Sequence, residues 1–340
     1  MKKIKIILIS VAVLLVVAGG ALFLAWRYAT SPFGGDEPVR VNIPAGTDAA
    51  GVRAILEEGL GSSFGGKVAT LWERQGGSPA VAHGSYLVEP GSEAIRVSRA
   101  IMAGRQTPVR LTYNNIRTFG QLAARVGDVL ELDSASFAAA CDTLLPPAGF
   151  SGKEQYAAAF LPDTYEFYWT VEPGVVVAKL LDHSGKFWNA ERRKKAEELG
   201  LSPVDVATVA SIVEEETNKA DERPKVARLY LNRIAKGMQL QADPTVKFAV
   251  GDFSLRRLTG KHLAIESPYN TYKVKGLPPG PIRVAEASTI DAVLNAPEHK
   301  YLYMCAKSDF SGYHYFAEPY DRHRINSARY HMALNRKGIR

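Results

Sequence analysis

Cysteine is scarce in this chain, which carries only Cys141 and Cys305 in 340 residues. Two thiols so far apart exclude a disulfide framework and a cysteine-rich zinc site. Cys305 lies in the apolar run 301–306, so we expect it to be buried and inert. The sequence leaves open whether the two cysteines pair.

Metal-ligand spacing is also missing. The chain has no His-Glu-x-x-His sequence, and His262, His299, His314 and His323 are scattered along it. Zinc peptidases place two histidine ligands one helical turn apart, so a metal-dependent peptidase or amidase is disfavoured. We therefore expect no metal site.

Acidic residues are outnumbered by basic ones, 35 against 42, which gives a formal net charge of +7 and a pI near 9.2. The lysines and arginines are dispersed, so a nucleic-acid partner is not indicated. The net positive charge instead favours attraction to anionic lipid headgroups or to an acidic polymer. The content of 46% hydrophobic and 23% charged residues is typical of a folded protein.

One long apolar run is present, from Ile4 to Trp26, with Lys5 as its one charged residue. As a helix the run is long enough to cross a hydrocarbon core of roughly 30 Å. Lys2 and Lys3 precede it and Arg27 follows, which predicts a single-pass anchor in the cytoplasmic (inner) membrane with a cytoplasmic N-terminus. A cleaved signal peptide is the alternative, but its apolar core is usually shorter, and no clear small-x-small cleavage site follows.

The rest of the chain predicts an α+β fold. Residues 1–29 form the anchor, and residues 30–38 are a stalk rich in Gly and Pro. Residues 39–113 contain a Gly-x-Tyr strand, a Pro-Gly turn and a helix ending at Gly104, and this order resembles the carbohydrate-binding LysM module. A generic small α+β domain fits equally well. Residues 114–200 are predicted to be a mostly helical connecting region, and residues 201–340 a mixed α/β domain with a central acidic helix.

The acidic helix begins with Ser202 as N-cap and Pro203 at its first position, and it carries Glu214, Glu215 and Glu216. Successive helical residues are about 100° apart, so the three carboxylates face different directions. We expect Glu215 to point to solvent and the other two to lie on the margins of the buried face. A half-buried carboxylate has a raised pKa and suits general-acid chemistry.

Glu214 is the stronger candidate because its neighbours on the helix are small, which leaves room for a ligand. A run of three glutamates more often forms surface ion pairs, and that interpretation is kept beside the catalytic one. Three later segments, 240–246, 267–272 and 276–282, combine amide or carboxylate groups with aromatic rings or a Pro-Gly backbone. Such groups recognise sugars.

The segments ASIVEEET, LNRIAKGMQLQADPTV, SPYNTY and GLPPGPI resemble, in this order, the MltG-type (YceG-like) endolytic murein transglycosylase family. The resemblance extends from about Val39 to the C-terminus and is strongest from Phe160, where FLPDTYEFYW begins. It implies that Glu214 is the catalytic acid and base, and that the Leu277–Pro281 loop shapes a wall of the glycan cleft. The other residues it implies as substrate-binding are Glu216, Gln241, Asp243, Thr245, Tyr269, Asn270 and Tyr272.

Two segments depart from the family pattern. VRLTYNNIRT lacks the Pro-Glu-Gly usual after this strand, and HYFAEPYDRHRINS stands where the family tends to have His-Asn. The second departure leaves His323 open as a site residue, and a histidine on the surface of a helix is the plainer interpretation.

The resemblance implies an extracytoplasmic enzyme that cleaves MurNAc-GlcNAc bonds in nascent peptidoglycan strands and leaves 1,6-anhydro-MurNAc ends, ending strand elongation. Because the nucleophile is the sugar's own 6-hydroxyl, no cofactor is needed. Its partners would be glycan strands, the membrane and peptidoglycan synthases. The alternative is a non-catalytic, membrane-anchored scaffold that binds glycan through residues 39–113.

Overall fold

The computed structural model describes residues 2–255 and 257–338. Met1 of the predicted anchor, and Arg256, Ile339 and Arg340 of the predicted catalytic domain, lie outside the described residues. The chain divides into two compact units. The N-terminal unit comprises residues up to Leu111 with 128–132 and 166–171, and the C-terminal unit comprises the remainder.

The first helix, α1, runs from Lys2 to Ala29. Within Lys3–Ala29 an 18-residue window has a mean hydropathy of 2.9, and none of that window is buried inside the protein. At about 1.5 Å per residue such a helix is long enough to cross a bilayer. It fits a single-pass membrane anchor.

The N-terminal unit is a small α+β domain. Its elements are β1 (Val39–Ile43), α2 (Ala49–Leu60), α3 (Ser62–Arg74), α4 (Pro79–Ala82), β2 (Gly84–Val88) and α5 (Ala94–Met102). β1 and β2 are antiparallel, with Val39 opposite Val88. The Asp48 carboxylate starts α2 by accepting the Gly51 N–H at 2.7 Å. The residues 61–65 match Gly-x-Ser-x-Gly, but they follow α2 rather than a strand, so Ser63 does not sit on a nucleophile elbow.

A two-stranded sheet and a helical layer come next along the chain. The elements are β3 (Val109–Tyr113), α6 (Phe119–Val129), α7 (Ser134–Leu144), a 3-10 helix (Lys153–Ala159), β4 (Asp163–Phe167), α8 (Pro173–Phe187) and α9 (Ala190–Glu198). β3 pairs with β4.

The rest of the C-terminal unit packs around one central helix, α10. The elements are α10 (Pro203–Glu216), α11 (Arg223–Ala235), α12 (Asp243–Val250), α13 (Gly260–Leu263), α14 (Ala287–Leu294), β5 (Tyr303–Ala306), β6 (His314–Ala317) and α15 (Tyr320–Arg336). β5 and β6 form an antiparallel hairpin in which Ala306 lies opposite His314.

The predicted start of α10 is confirmed. Ser202 accepts the backbone N–H of Asp205, and the Asp205 carboxylate accepts the backbone N–H of Ser202, which completes a capping box with Pro203 in the first turn. Val209, Ile212 and Val213 of this helix are buried in the core of the unit.

The prediction that one side of α10 faces solvent is wrong. Every residue from Val206 to Glu214 is buried, because α9, α11, α12, α14 and the 3-10 helix all contact the helix. The polar residues on that side are short: the Thr208 hydroxyl donates to the Val204 carbonyl at 2.8 Å, and the Ser211 hydroxyl donates to the Thr208 carbonyl at 2.7 Å. Hydroxyls that bond to their own helix can be buried without an unpaired donor.

Both cysteines are free thiols. Cys141 is buried, as its apolar neighbours would require, but Cys305 is only half-buried on β5, so the expectation that it is fully buried is wrong. The apolar run around Cys305 forms one strand of a two-stranded hairpin, and a sheet this narrow cannot cover both of its faces.

Candidate active site

The glutamates at the end of α10 have different surroundings. Glu214 is 4% exposed; its Oε2 accepts the backbone N–H of Glu286 at 3.0 Å, and its Oε1 lies 3.0 Å from Nη2 of Arg283. Burial raises the pKa of Glu214, and these two contacts oppose the rise. Oε2 is therefore hydrogen-bonded to the backbone, whereas Oε1 has only the ion pair with Arg283 and no hydrogen-bond partner among the described residues.

Glu215 does not face solvent as predicted. Its Oε1 lies 2.8 Å from Nη1 of Arg283 and 3.2 Å from Nε of Arg117, and its side chain is 17% exposed. The cause is that the side of α10 carrying Glu215 is covered, so the carboxylate requires cationic partners. Glu214 and Glu215 thus share Arg283 in one buried ionic network.

Glu216 lines a cavity of about 250 Å³. Its Oε1 accepts the hydroxyl hydrogen of Tyr230 at 2.8 Å. Burial raises the pKa of Glu216 to about 7, the negative charge of Asp243 adds to the rise, and the Tyr230 hydrogen bond opposes it. The other residues that line this cavity are Leu229, Tyr230, Arg233, Gln241, Asp243, Tyr272, Met304, Cys305, Ala306 and His314.

One side of the cavity is polar. The Tyr272 hydroxyl donates to Oδ1 of Asp243 at 2.5 Å, and burial, together with this contact, raises the pKa of Tyr272. Gln241 precedes this pair with an exposed side chain and a left-handed backbone at φ 49°. A residue other than glycine in this conformation is strained, and such strain is concentrated at functional sites.

Arg233 supplies a fixed positive charge beside Glu216. Its Nη1 donates to the Leu240 carbonyl and its Nε donates to the Leu302 carbonyl, each at 2.6 Å. The guanidinium also lies 5.4 Å from the centre of the Tyr303 ring. These contacts hold the charge in place without neutralising it.

Comparison with known proteins gives one family. The YceG-like family matches residues 41–329. The chain belongs to the YceG-like family. It is 29% identical over 344 residues to the endolytic murein transglycosylase of Bacillus subtilis strain 168, covering 94% of this chain and 93% of that protein.

Two further proteins are similar to this chain over different lengths. An endolytic murein transglycosylase of Streptococcus pneumoniae is 32% identical over 132 residues, which is 38% of this chain and 24% of that protein. The crystal structure of a YceG-like protein of Listeria monocytogenes superposes with a TM-score of 0.57 at 25% identity, covering 86% of this chain and 99% of that one.

Three of the expected substrate-binding residues of this YceG-like chain do not line the Glu216 cavity. Asn270 and Thr245 are 0% exposed. The Asn270 amide donates to the Leu263 and Ile265 carbonyls at 3.0 and 2.9 Å, and the Thr245 hydroxyl donates to the Ala242 carbonyl at 2.7 Å. Both side chains therefore hold backbone segments of the protein in place and do not face the cavity.

The third, Tyr269, packs on the Phe248 ring at a centroid distance of 4.7 Å. The Leu277–Pro281 loop is also absent from the cavity lining and lies against α10, where the Ile282 N–H donates to the Ser211 hydroxyl at 3.0 Å. The cavity therefore unites Glu216, Gln241, Asp243 and Tyr272 of the predicted set.

Several cavity residues of this YceG-like chain were not predicted. Tyr230 and Arg233 are three residues apart on α11, and that spacing could have indicated a shared face turned toward α10. His314 comes from β6, and its place in the sequence has no metal-ligand spacing that would indicate a site residue. His323, on α15, stacks on Tyr303 at a ring-centroid distance of 5.3 Å and does not line the cavity. Among residues 2–255 and 257–338, no group of three or more His, Cys, Asp or Glu is placed to hold a metal ion.

Proposed function

We propose that this chain is an endolytic murein transglycosylase and that Glu216 is its proton donor. The relative that matches 94% of the chain carries that activity in its name. The observation that carries the assignment to Glu216 is its position: a carboxyl whose pKa burial raises to about 7 lines a polar cavity. Near neutral pH such a group is protonated in a large fraction of molecules, as a general acid requires.

The reaction follows from one acid and a nucleophile within the substrate. Glu216 donates its proton to the glycosidic oxygen between MurNAc and GlcNAc as the bond from C1 to that oxygen breaks. The 6-hydroxyl of the MurNAc attacks C1 and closes a 1,6-anhydro ring. Because this hydroxyl belongs to the same sugar, its effective concentration is high. Glu216 regains a proton from the 6-hydroxyl by the end of turnover.

Glu214, the acid predicted from the sequence, has a structural part in this proposal. Its side chain is 2% exposed and is held by Arg283 and by the backbone of Glu286. A glycosidic oxygen would have to displace one of these partners to reach it. Losing a hydrogen bond to a buried charged group costs about 1.5–3 kcal/mol, so Glu214 is the poorer donor.

The remaining predicted residues divide into two groups. Gln241, Asp243 and Tyr272 bind sugar hydroxyls and the N-acetyl group from within the cavity. Asn270 and Thr245 hold the segment that carries them, and Tyr269 supports α12 through Phe248.

We further propose that this chemistry takes place at the membrane. We assign 1–29 to a single-pass inner-membrane helix with a cytoplasmic N-terminus, 30–38 to a stalk and 39–113 to a LysM-like glycan-binding module. Residues 114–200 connect that module to the catalytic domain, 201–340, in the periplasm. The enzyme would act beside peptidoglycan synthases and terminate nascent strands.

Product analysis tests the activity. Full-length protein in detergent is incubated with purified uncrosslinked glycan strands, and the fragments are analysed by mass spectrometry. Fragments with 1,6-anhydro ends support the proposal. Fragments with only water-derived reducing ends would make the protein a hydrolase, and intact strands would favour the scaffold.

A further inference from the structure

A histidine lines the same cavity as Glu216. His314 lies on β6 with its side chain 14% exposed. Its ring Nδ1 is 2.7 Å from Oε2 of Glu222, and its backbone N–H donates to Oε1 of the same carboxylate at 2.8 Å. Two bonds to one carboxylate fix both the strand and the ring.

Glu222 is itself buried, at 6% exposure. A third donor, the Thr217 hydroxyl, reaches its Oε2 at 3.1 Å, and Thr217 is the residue that follows Glu216. The network therefore connects the end of α10, the start of α11 and β6. Its residues have no part in the ionic network of Glu214.

The arrangement selects one tautomer of His314. A carboxylate that accepts from a backbone N–H and from a hydroxyl also accepts from the ring, so Nδ1 carries the hydrogen. In the neutral ring Nε2 is then left with its lone pair. No described residue donates to Nε2, and the cavity that the ring lines is polar. The unpaired acceptor is available to a substrate hydroxyl.

We propose that His314 Nε2 binds the 6-hydroxyl of the reacting sugar and takes its proton as the ring closes. The inference rests on the proposed function and divides its proton transfers between two groups. The bond from O6 to C1 forms and the bond from C1 to the leaving oxygen breaks. The O6 proton passes to Nε2, and the Glu216 proton passes to the leaving oxygen. Transfer of the Nε2 proton to the Glu216 carboxylate restores both groups.

A dedicated acceptor has a physical advantage. A single carboxylate would have to lose its proton to the leaving oxygen before it could accept one from O6. With His314 in place, both transfers occur in the same transition state. The Glu222–His314 pair has the roles of an orienting carboxylate and a base, as in other acid-base sites.

The test is the ratio of anhydro ends to water-derived reducing ends made by full-length protein carrying His314→Gln. Glutamine is polar but cannot take a proton, so we expect at least about a 10-fold loss of anhydro formation. The fraction of reducing ends rises because water competes with a 6-hydroxyl that is no longer held. His331→Gln, the same change at an exposed residue of α15, should alter neither quantity.

Glu222→Gln tests the tautomer without removing the histidine. An amide that donates to Nδ1 moves the ring hydrogen to Nε2, which nitrogen NMR of the ring detects, and we expect the same shift in products. Thermal unfolding of each variant checks that it is folded.

An unchanged ratio in His314→Gln, whether or not the rate falls, would overturn the proposal. That result leaves the proposed function standing if the wild type still makes anhydro ends. A wild type that makes none would overturn both.

Discussion

Tyr230 on α11 donates its hydroxyl hydrogen to Oε1 of Glu216, the last residue of α10, across 2.8 Å. The contact stabilises the ionised carboxylate, whereas burial and the negative end of the helix dipole stabilise the neutral acid. Burial dominates, and the pKa of Glu216 is about 7. The balance keeps an acid protonated near neutral pH while its proton remains easy to transfer.

Removing the Tyr230 hydroxyl should shift the pH dependence of activity. In Tyr230→Phe the carboxylate loses the hydrogen bond from the Tyr230 hydroxyl, so the pKa of Glu216 rises further and the alkaline fall in strand cleavage moves to higher pH. The measurement is the cleavage rate from pH 5 to 9. Tyr156→Phe is the control, because that hydroxyl bonds to Asp142 away from the cavity. If strand cleavage in Tyr230→Phe fell at the same alkaline pH as in wild type, the assignment of Glu216 as the acid would be contradicted.

Glu216 should also make stability depend on pH. Its folded-state pKa of about 7 lies above its ordinary value of 4.5. The stabilisation from the neutral form is therefore fully present below about 4.5 and is lost as pH rises through about 7. Glu216→Gln stays neutral, so at pH 8 we expect it to be more stable than wild type by about 1–3 kcal/mol. Denaturant unfolding at pH 5 and pH 8 measures the free energy of unfolding of both proteins. The same difference between Glu216→Gln and wild type at the two pH values would count against a raised pKa of Glu216.

Arg283 should be essential for folding rather than for chemistry. Its side chain is 9% exposed and pairs with Glu214 and Glu215. Arg283→Met leaves two buried carboxylates short of a partner, and we expect a loss of about 3–5 kcal/mol in the free energy of unfolding. Arg53→Met removes a half-exposed pair with Glu73 and should cost less than about 1 kcal/mol. Similar losses of unfolding free energy in Arg283→Met and Arg53→Met would show that the buried ionic network does not stabilise the fold.

We expect Asn270 to contribute to the stability of the fold rather than directly to catalysis. Its amide and carbonyl bond to Leu263, Ile265 and the backbone N–H of Tyr272. Asn270→Ala leaves those buried groups unpaired, so we expect a loss of about 2 kcal/mol. Asn295→Ala, at an exposed position on the end of α14, is the matched control. An unfolding midpoint equal to that of the control would show that Asn270 does not brace the loop.

Much of the local structure follows from the sequence alone. The capping residues Ser202 and Asp205 determine where α10 begins, and the apolar run from Ile4 determines α1. These features depend on neighbours in the chain, which a sequence displays directly.

The choice between Glu214 and Glu216 depends on tertiary contacts. A helical wheel assumes that one side of the helix meets solvent, but α10 is surrounded. Small neighbours of Glu214 suggested space for a ligand, yet they allow the backbone of 282–286 to pack against the helix. The partners that distinguish the two acids, Tyr230 and Arg283, lie 14 and 69 positions further along the chain.

The most direct test of the account compares anhydro-ended fragments from wild type, Glu216→Gln and Glu214→Gln under one set of conditions. We predict at least about a 100-fold loss of fragments in Glu216→Gln with the fold intact. Glu214→Gln should retain cleavage within about 10-fold of wild type when folded, with an unfolding free energy lower by about 1–3 kcal/mol. Abolished cleavage in a stably folded Glu214→Gln, together with an active Glu216→Gln, would contradict the assignment and return the catalytic role to Glu214.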